Sequence, residues 1–143
     1  MGKISAVAAF LLAAGLLQAA ADDSVHFRLS PGPRLVGTRA MSSGSGELSA
    51  TLSGNMLSLD GTYEGLLAAP ATALLAMGSA PGVRGPKIAD LAISSGTSGT
   101  VSGTVKLNSK QLALFHKGAL YVEIDSAAAP EGDLWGWVLP FQD

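Results

Sequence analysis

Cysteine is missing from this chain altogether. No disulfide framework can therefore form, although a small secreted animal domain would ordinarily carry one. The absence favours a bacterial exported protein whose core is large enough to fold without covalent staples. It also excludes a lipid-anchored lipoprotein, which needs a cysteine at its cleavage site. Histidine is scarce too: His26 and His116 are the whole supply. Two are too few for a His-rich zinc or copper centre, so no metal and no cofactor is expected. Basic residues do not cluster anywhere, and the electrostatic footprint of nucleic-acid binding is absent. Asn55 and Asn108 both lack a hydroxyl residue two positions on, so no glycosylation sequon occurs. Aromatic residues make up only 6% of the chain, yet both tryptophans, Trp135 and Trp137, stand side by side near its end.

What is present begins with an address. Lys3 precedes an apolar run from about Ala6 to Leu17, and Ala19-Ala20-Ala21 lead into Asp22-Asp23. A positive start, a short apolar middle and small residues before a cleavage point predict a secretory signal peptide over residues 1–21. The run is shorter than the roughly 20 residues that span a bilayer, so no membrane span is expected after cleavage. The remaining residues, 22–143, are expected to form one domain, exported to the periplasm or the extracellular space. Without Lys3, eight basic side chains face eleven acidic ones, a formal charge of −3.

The domain is rich in Gly, Ser, Thr, Ala and Leu, with breaks roughly every ten residues, the spacing of short antiparallel strands. "VHFRL" from Val25 reads as a first strand, ended by "PGPRLVG". Glu47 to Tyr63 predicts a hairpin turning at "SGNM". In its second arm Leu57, Leu59 and Tyr63 share one face, against Ser58, Asp60, Thr62 and Glu64. "ATALLAM", Ala71 to Met77, has the composition of a helix but the flanks of a short buried strand. "KIADLAI" and "TVSGTVKL" continue the strand pattern around a Gly/Ser/Thr tip whose glycines do not match a phosphate-binding loop. Asn108 and Gln111 have capping-box spacing and predict one helix of about two turns, stopping at Gly118. Two alternating strands close the chain, Leu120-Val122-Ile124 against Tyr121-Glu123-Asp125, then Leu134-Gly136-Val138 against Trp135-Trp137. The expected fold is all-β: a single antiparallel β-sandwich, immunoglobulin-like, with one short helix near the C-terminal third.

The ordered series of motifs resembles the CHRD (chordin-type) domain family. "LYVEIDSAAAPEGDLWGWV" is similar to that family's closing L-Y-V-N-V-H-T-x-x-x-P-x-G-E-I-R-G-Q, with Tyr121, Pro130, Gly132 and Gly136 in matching places. "GVRGP", Gly82 to Pro86, resembles its G-x-x-G-P. "SGTVSGTVKL" then "QLALFHKG" resemble its S-G-T-x-x-L and following helix, and "FRLSPGP" its opening. The resemblance implies a non-catalytic binding module of the cell envelope or extracellular space. This chain departs from the pattern where the family has histidines and an arginine. Leu75 and Met77 stand at an A-H-I-H position, Asp125 at the histidine of V-H-T, and Trp135 at the arginine of I-R-G. If those departures share one pocket, Leu75, Met77, Asp125 and Trp135 lie close together in space.

No nucleophile, base and orienting acid stand out, and no G-x-S-x-G elbow occurs, so no catalytic residue is expected. Glu123, Asp125, Glu131 and Asp133 could supply paired carboxylates. Four acids around a hairpin more simply form a solvated edge that resists aggregation. The binding candidates are Tyr121, Asp125, Trp135, Trp137, Leu75 and Met77. An aromatic platform of this kind serves protein or glycan recognition, and the alternative is that it packs beneath a loop. A homo-oligomer is compatible with the same face. The competing readings are a structural or assembly role at the envelope and, last, a metal-binding protein or metal-dependent enzyme.

Overall fold

A computed structural model describes residues 23–32, 42–130 and 132–140. The expected signal peptide, most of "PGPRLVG" and Glu131 lie outside the described residues.

Eight strands follow one another: β1 (Asp23–Pro31), β2 (Ser45–Ser53), β3 (Met56–Glu64), β4 (Pro70–Met77), β5 (Lys87–Ile93), β6 (Gly99–Lys106), β7 (Leu120–Ser126) and β8 (Leu134–Val138), with helix α1 (Ser109–His116) between β6 and β7. Period-two alternation sets the faces. Along β3, Leu57, Leu59 and Tyr63 are buried while Ser58, Asp60, Thr62 and Glu64 face out. The β2–β3 hairpin turns at Gly54, whose φ of 64° is the left-handed value glycine adopts without steric penalty. "ATALLAM" is strand, with Ala73 and Leu75 in the core. Prolines sit at strand ends, Pro31 closing β1 and Pro70 opening β4, where the missing N–H costs little.

The helix begins as the capping box dictates. Gln111 N donates to Asn108 Oδ1 at 2.8 Å and Asn108 N to Gln111 Oε1 at 2.9 Å. Gly118 follows the Lys117 cap with φ 74°. His116, in the last turn, is a basic residue where the helix dipole favours one.

The sheet is not an immunoglobulin-like sandwich. Its strands close into a ring in the order β1-β2-β3-β6-β5-β4-β7-β8, every neighbouring pair antiparallel. Two strands change partner to close it. β1 pairs with β2 along Asp23–Leu29, then with β8 at Ser30 and Pro31. β5 pairs with β4, then with β6 at Ala92 and Ile93. The result is a closed all-β barrel, with β1 and β5 each meeting their second neighbour over two residues. At the β1–β8 corner, a Cβ on Gly136 would collide with the Arg28 carbonyl oxygen. Only glycine lets β1 cross so closely.

Candidate functional site

β7 occupies the middle of one side of the barrel, with β4 on one flank and β8 on the other. Its register decides the site. Tyr121 faces Trp137 and Glu123 faces Trp135 across the β7–β8 pair. Directly opposed residues project to the same face, so Tyr121, Glu123, Trp135 and Trp137 share the outer surface. The three rings contact one another: Tyr121 and Trp137 at 4.7 Å between centroids, Trp135 and Trp137 at 5.5 Å, and Tyr121 and Trp135 at 6.0 Å, the last two edge to face.

The Gly78–Pro86 loop folds over part of this cluster. The Tyr121 hydroxyl donates to the Gly85 carbonyl at 3.0 Å and accepts from the Gly85 N–H at 3.1 Å. Arg84 reaches further. Its guanidinium ion-pairs with Glu123, donates to the Gly32 carbonyl, and lies 4.0 Å above the Trp135 ring. One forked cation thus meets a carboxylate, a carbonyl and an aromatic face, a combination suited to arginine and not lysine. Gly32 packs so near that a Cβ there would strike the Trp135 ring. Trp135 is clamped; Trp137, whose aromatic partners among the described residues are Tyr121 and Trp135, keeps surface on the barrel's outside, and both indoles are half-buried.

A groove of about 430 Å³ runs beside them. His26, Arg28 and Ser30 of β1 form one wall, and Trp135, Trp137 and Leu139 the other.

The six residues singled out from sequence do not form one site. Tyr121, Trp135 and Trp137 come together. Asp125 lies at the far end of β7, accepting from Thr72 Oγ1 at 3.0 Å. Leu75 faces Val122 and points into the core, and Met77 faces Leu120 and packs against that core. Measured along β4 from Thr72, they stand about 10 Å and about 17 Å from the Asp125 position, at about 3.3 Å per residue. The expected clustering of Leu75 and Met77 with Asp125 and Trp135 therefore fails, because strand alternation puts the two apolar residues on the opposite face.

The solvated-edge reading of the hairpin acids also fails for Glu123 and Asp133, while Asp125 is half-buried and Glu131 lies outside the described residues. Glu123 is 3% exposed and Asp133 is fully buried. Asp133 accepts from the Ser43 N–H at 2.8 Å and the Ser126 hydroxyl at 2.6 Å, tying the segment before β2 to the β7–β8 turn. Sequence reasoning missed Arg84 and the pairing role of Glu123. The usable signal was an acid in a strand whose neighbours are nearly all apolar. A buried carboxylate needs a partner cation, and "GVRGP" contains one.

The Ser49 hydroxyl lies 2.8 Å from His26 Nδ1 on the outer face, with Asp60 opposite Ser49 on β3. The serine stands between histidine and acid, so the acid cannot orient the imidazole as a triad requires. Among the described residues no three His, Cys, Asp or Glu side chains gather as a metal site, and no helix is long and apolar enough to cross a membrane. On β3, Tyr63 is buried, its hydroxyl 3.0 Å from the Ser94 carbonyl and 2.7 Å from that of Gly96. Burial raises its phenol above the ordinary value of 10.0.

A closed antiparallel barrel with a latched aromatic cluster on one outer face defines an all-β domain. The profile of the CHRD domain family matches residues 19–138, and the chain belongs to that family. CHRD domains are generally regarded as binding modules and are not known as enzymes. No curated protein and no solved structure matches the chain.

Proposed function

We propose that this chain is an exported, non-catalytic binding module that holds its partner, a protein or a glycan, against Trp137 in the groove between β1 and β8. The carrying observation is the half-buried Trp137, held by ring contacts with Tyr121 and Trp135 on a wall facing His26 and Arg28. A rigid aromatic side chain with one face left for contact loses little entropy on binding, which suits it to anchor a partner. The Arg84 latch supports the reading, because it fixes Trp135 and through it the neighbouring ring before any partner arrives. Export rests on the Met1–Ala21 layout of charge, apolar run and small residues.

The test compares immobilised wild-type and Trp137→Ala chains as baits for the exported fraction of the source cells. The wild type is expected to retain material that the variant does not, at a temperature where both chains are folded. Equal retention by the two baits would refute the groove as the binding site.

A further inference from the structure

The groove beside Trp137 continues past β1. It shares His26 and Arg28 with a second depression of about 420 Å³ over β1, β2 and β3. That one shares Arg28, Glu47 and Thr62 with a third, of about 340 Å³. The three form a trough across four neighbouring strands, β8, β1, β2 and β3. At about 4.8 Å per strand step it runs for about 14 Å. The register builds its floor in rows, His26–Ser49–Asp60 and Arg28–Glu47–Thr62.

We infer that this trough binds a neutral glycan chain, with one sugar ring packed on Trp137 and the following rings along the two rows. The inference rests on the binding-module reading above and names its ligand class. Three features of the trough select that class.

The first is hydrogen-bonding chemistry. Ser30, Ser49, Thr62, Ser45 and Ser98 line the trough. Each hydroxyl both donates and accepts, as the hydroxyls of a sugar do. The tryptophan end supplies the complementary surface, an aromatic face for the apolar C–H side of a sugar ring.

The second is charge. Arg28 is offset by Glu47, 3.9 Å away. Asp60 and Glu64 then add negative charge, with no salt bridge among the described residues. A polyanion would be repelled, and a neutral chain would not.

The third is what the trough denies a peptide. β2 and β3 are each paired on both sides along their length, so over these two strands no backbone edge is open for strand addition. Beyond the tryptophans the floor is polar, without the apolar centre that protein interfaces bury.

The full chain, fluorescently labelled, is applied to a printed array of neutral and acidic glycans. Hits are titrated by tryptophan emission, beside dextran sulfate and an oligolysine peptide. Neutral glycans are expected to be retained, with a saturable emission shift. Their affinity should change less than about twofold between about 50 and about 500 mM salt, since no ion pair is formed. Trp137→Ala should weaken it about tenfold or more and Thr62→Ala, an exposed change that leaves the core intact, about threefold. Retention of acidic glycans or dextran sulfate alone, of oligolysine alone, or of neutral glycans with both variants unaffected would each overturn the inference. If the array stays blank while capture from the exported fraction still requires Trp137, the glycan fails and the binding module stands. If neither is seen, both fail.

Discussion

The guanidinium carbon of Arg84 lies 4.0 Å above the centre of the Trp135 ring. The same group pairs with Glu123, whose side chain is 4% exposed, while that of Arg84 is 20% exposed. Removing the cation takes the Arg84 ion pair away from a buried carboxylate. Arg84→Ala should cost about 2–4 kcal/mol by urea denaturation, somewhat less than a wholly buried pair because water can reach the vacated site. Arg84→Lys should recover only part of this, since an ammonium cannot serve carboxylate, carbonyl and ring together. A loss below about 0.5 kcal/mol for the alanine variant would put the pair among ordinary surface bridges.

The two tryptophans should separate by their behaviour in solution. Trp135 is covered by Arg84 on one face and Gly32 at an edge. With Trp135→Phe, the emission of Trp137 should be quenched by acrylamide more readily than that of Trp135 in a Trp137→Phe chain. The stability cost should run the other way, about 2–3 kcal/mol for Trp135→Ala and less for Trp137→Ala. Equal quenching in the two single-tryptophan chains would contradict the clamp.

Tyr63 ties stability to alkaline pH. Its folded phenol titrates above 10.0 because it is buried. Above the ordinary tyrosine value the unfolded chain therefore binds fewer protons than the folded one, and stability falls as pH rises. The contribution is whole below about pH 10 and is lost as the pH climbs through the raised folded value. Tyr63→Phe should flatten this alkaline limb in denaturation series, at a cost near neutrality of about 1 kcal/mol for the hydrogen bonding to Ser94 and Gly96. An alkaline limb of unchanged slope in the variant would exclude Tyr63 as its source.

Asp133 is fully buried and accepts from both Ser43 and Ser126. Asp133→Asn keeps the shape but loses charge-assisted acceptance and turns an amide toward one of these donors. It should destabilise by about 1–3 kcal/mol. Hydrogen exchange should rise at the Ser43 amide and in the β7–β8 turn before the rest of the barrel responds. Uniform loosening would mean that Asp133 does not tether that segment specifically.

Much of this architecture could be read directly from residue order. Alternation along Leu57–Tyr63 named a strand and its inner face, and Asn108 with Gln111 named the helix start, because side-chain period and capping are local properties. Barrel closure was not legible. It depends on β1 and β5 each taking a second partner, β8 and β6, far away in the chain. The motif series of the CHRD family was legible too, since glycine, proline and aromatic positions survive as letters.

What the sequence by itself determined is the all-β character, the single capped helix, the family, and the shared face of Tyr121, Trp135 and Trp137. Only the tertiary structure decided that Glu123 and Asp133 are buried, that Leu75 and Met77 belong to the opposite face from Trp135, and that Arg84 latches the aromatic cluster. The reason is physical. Which way a side chain points follows from its neighbours in the chain, but whether that direction meets water or another segment follows from what the fold brings over it.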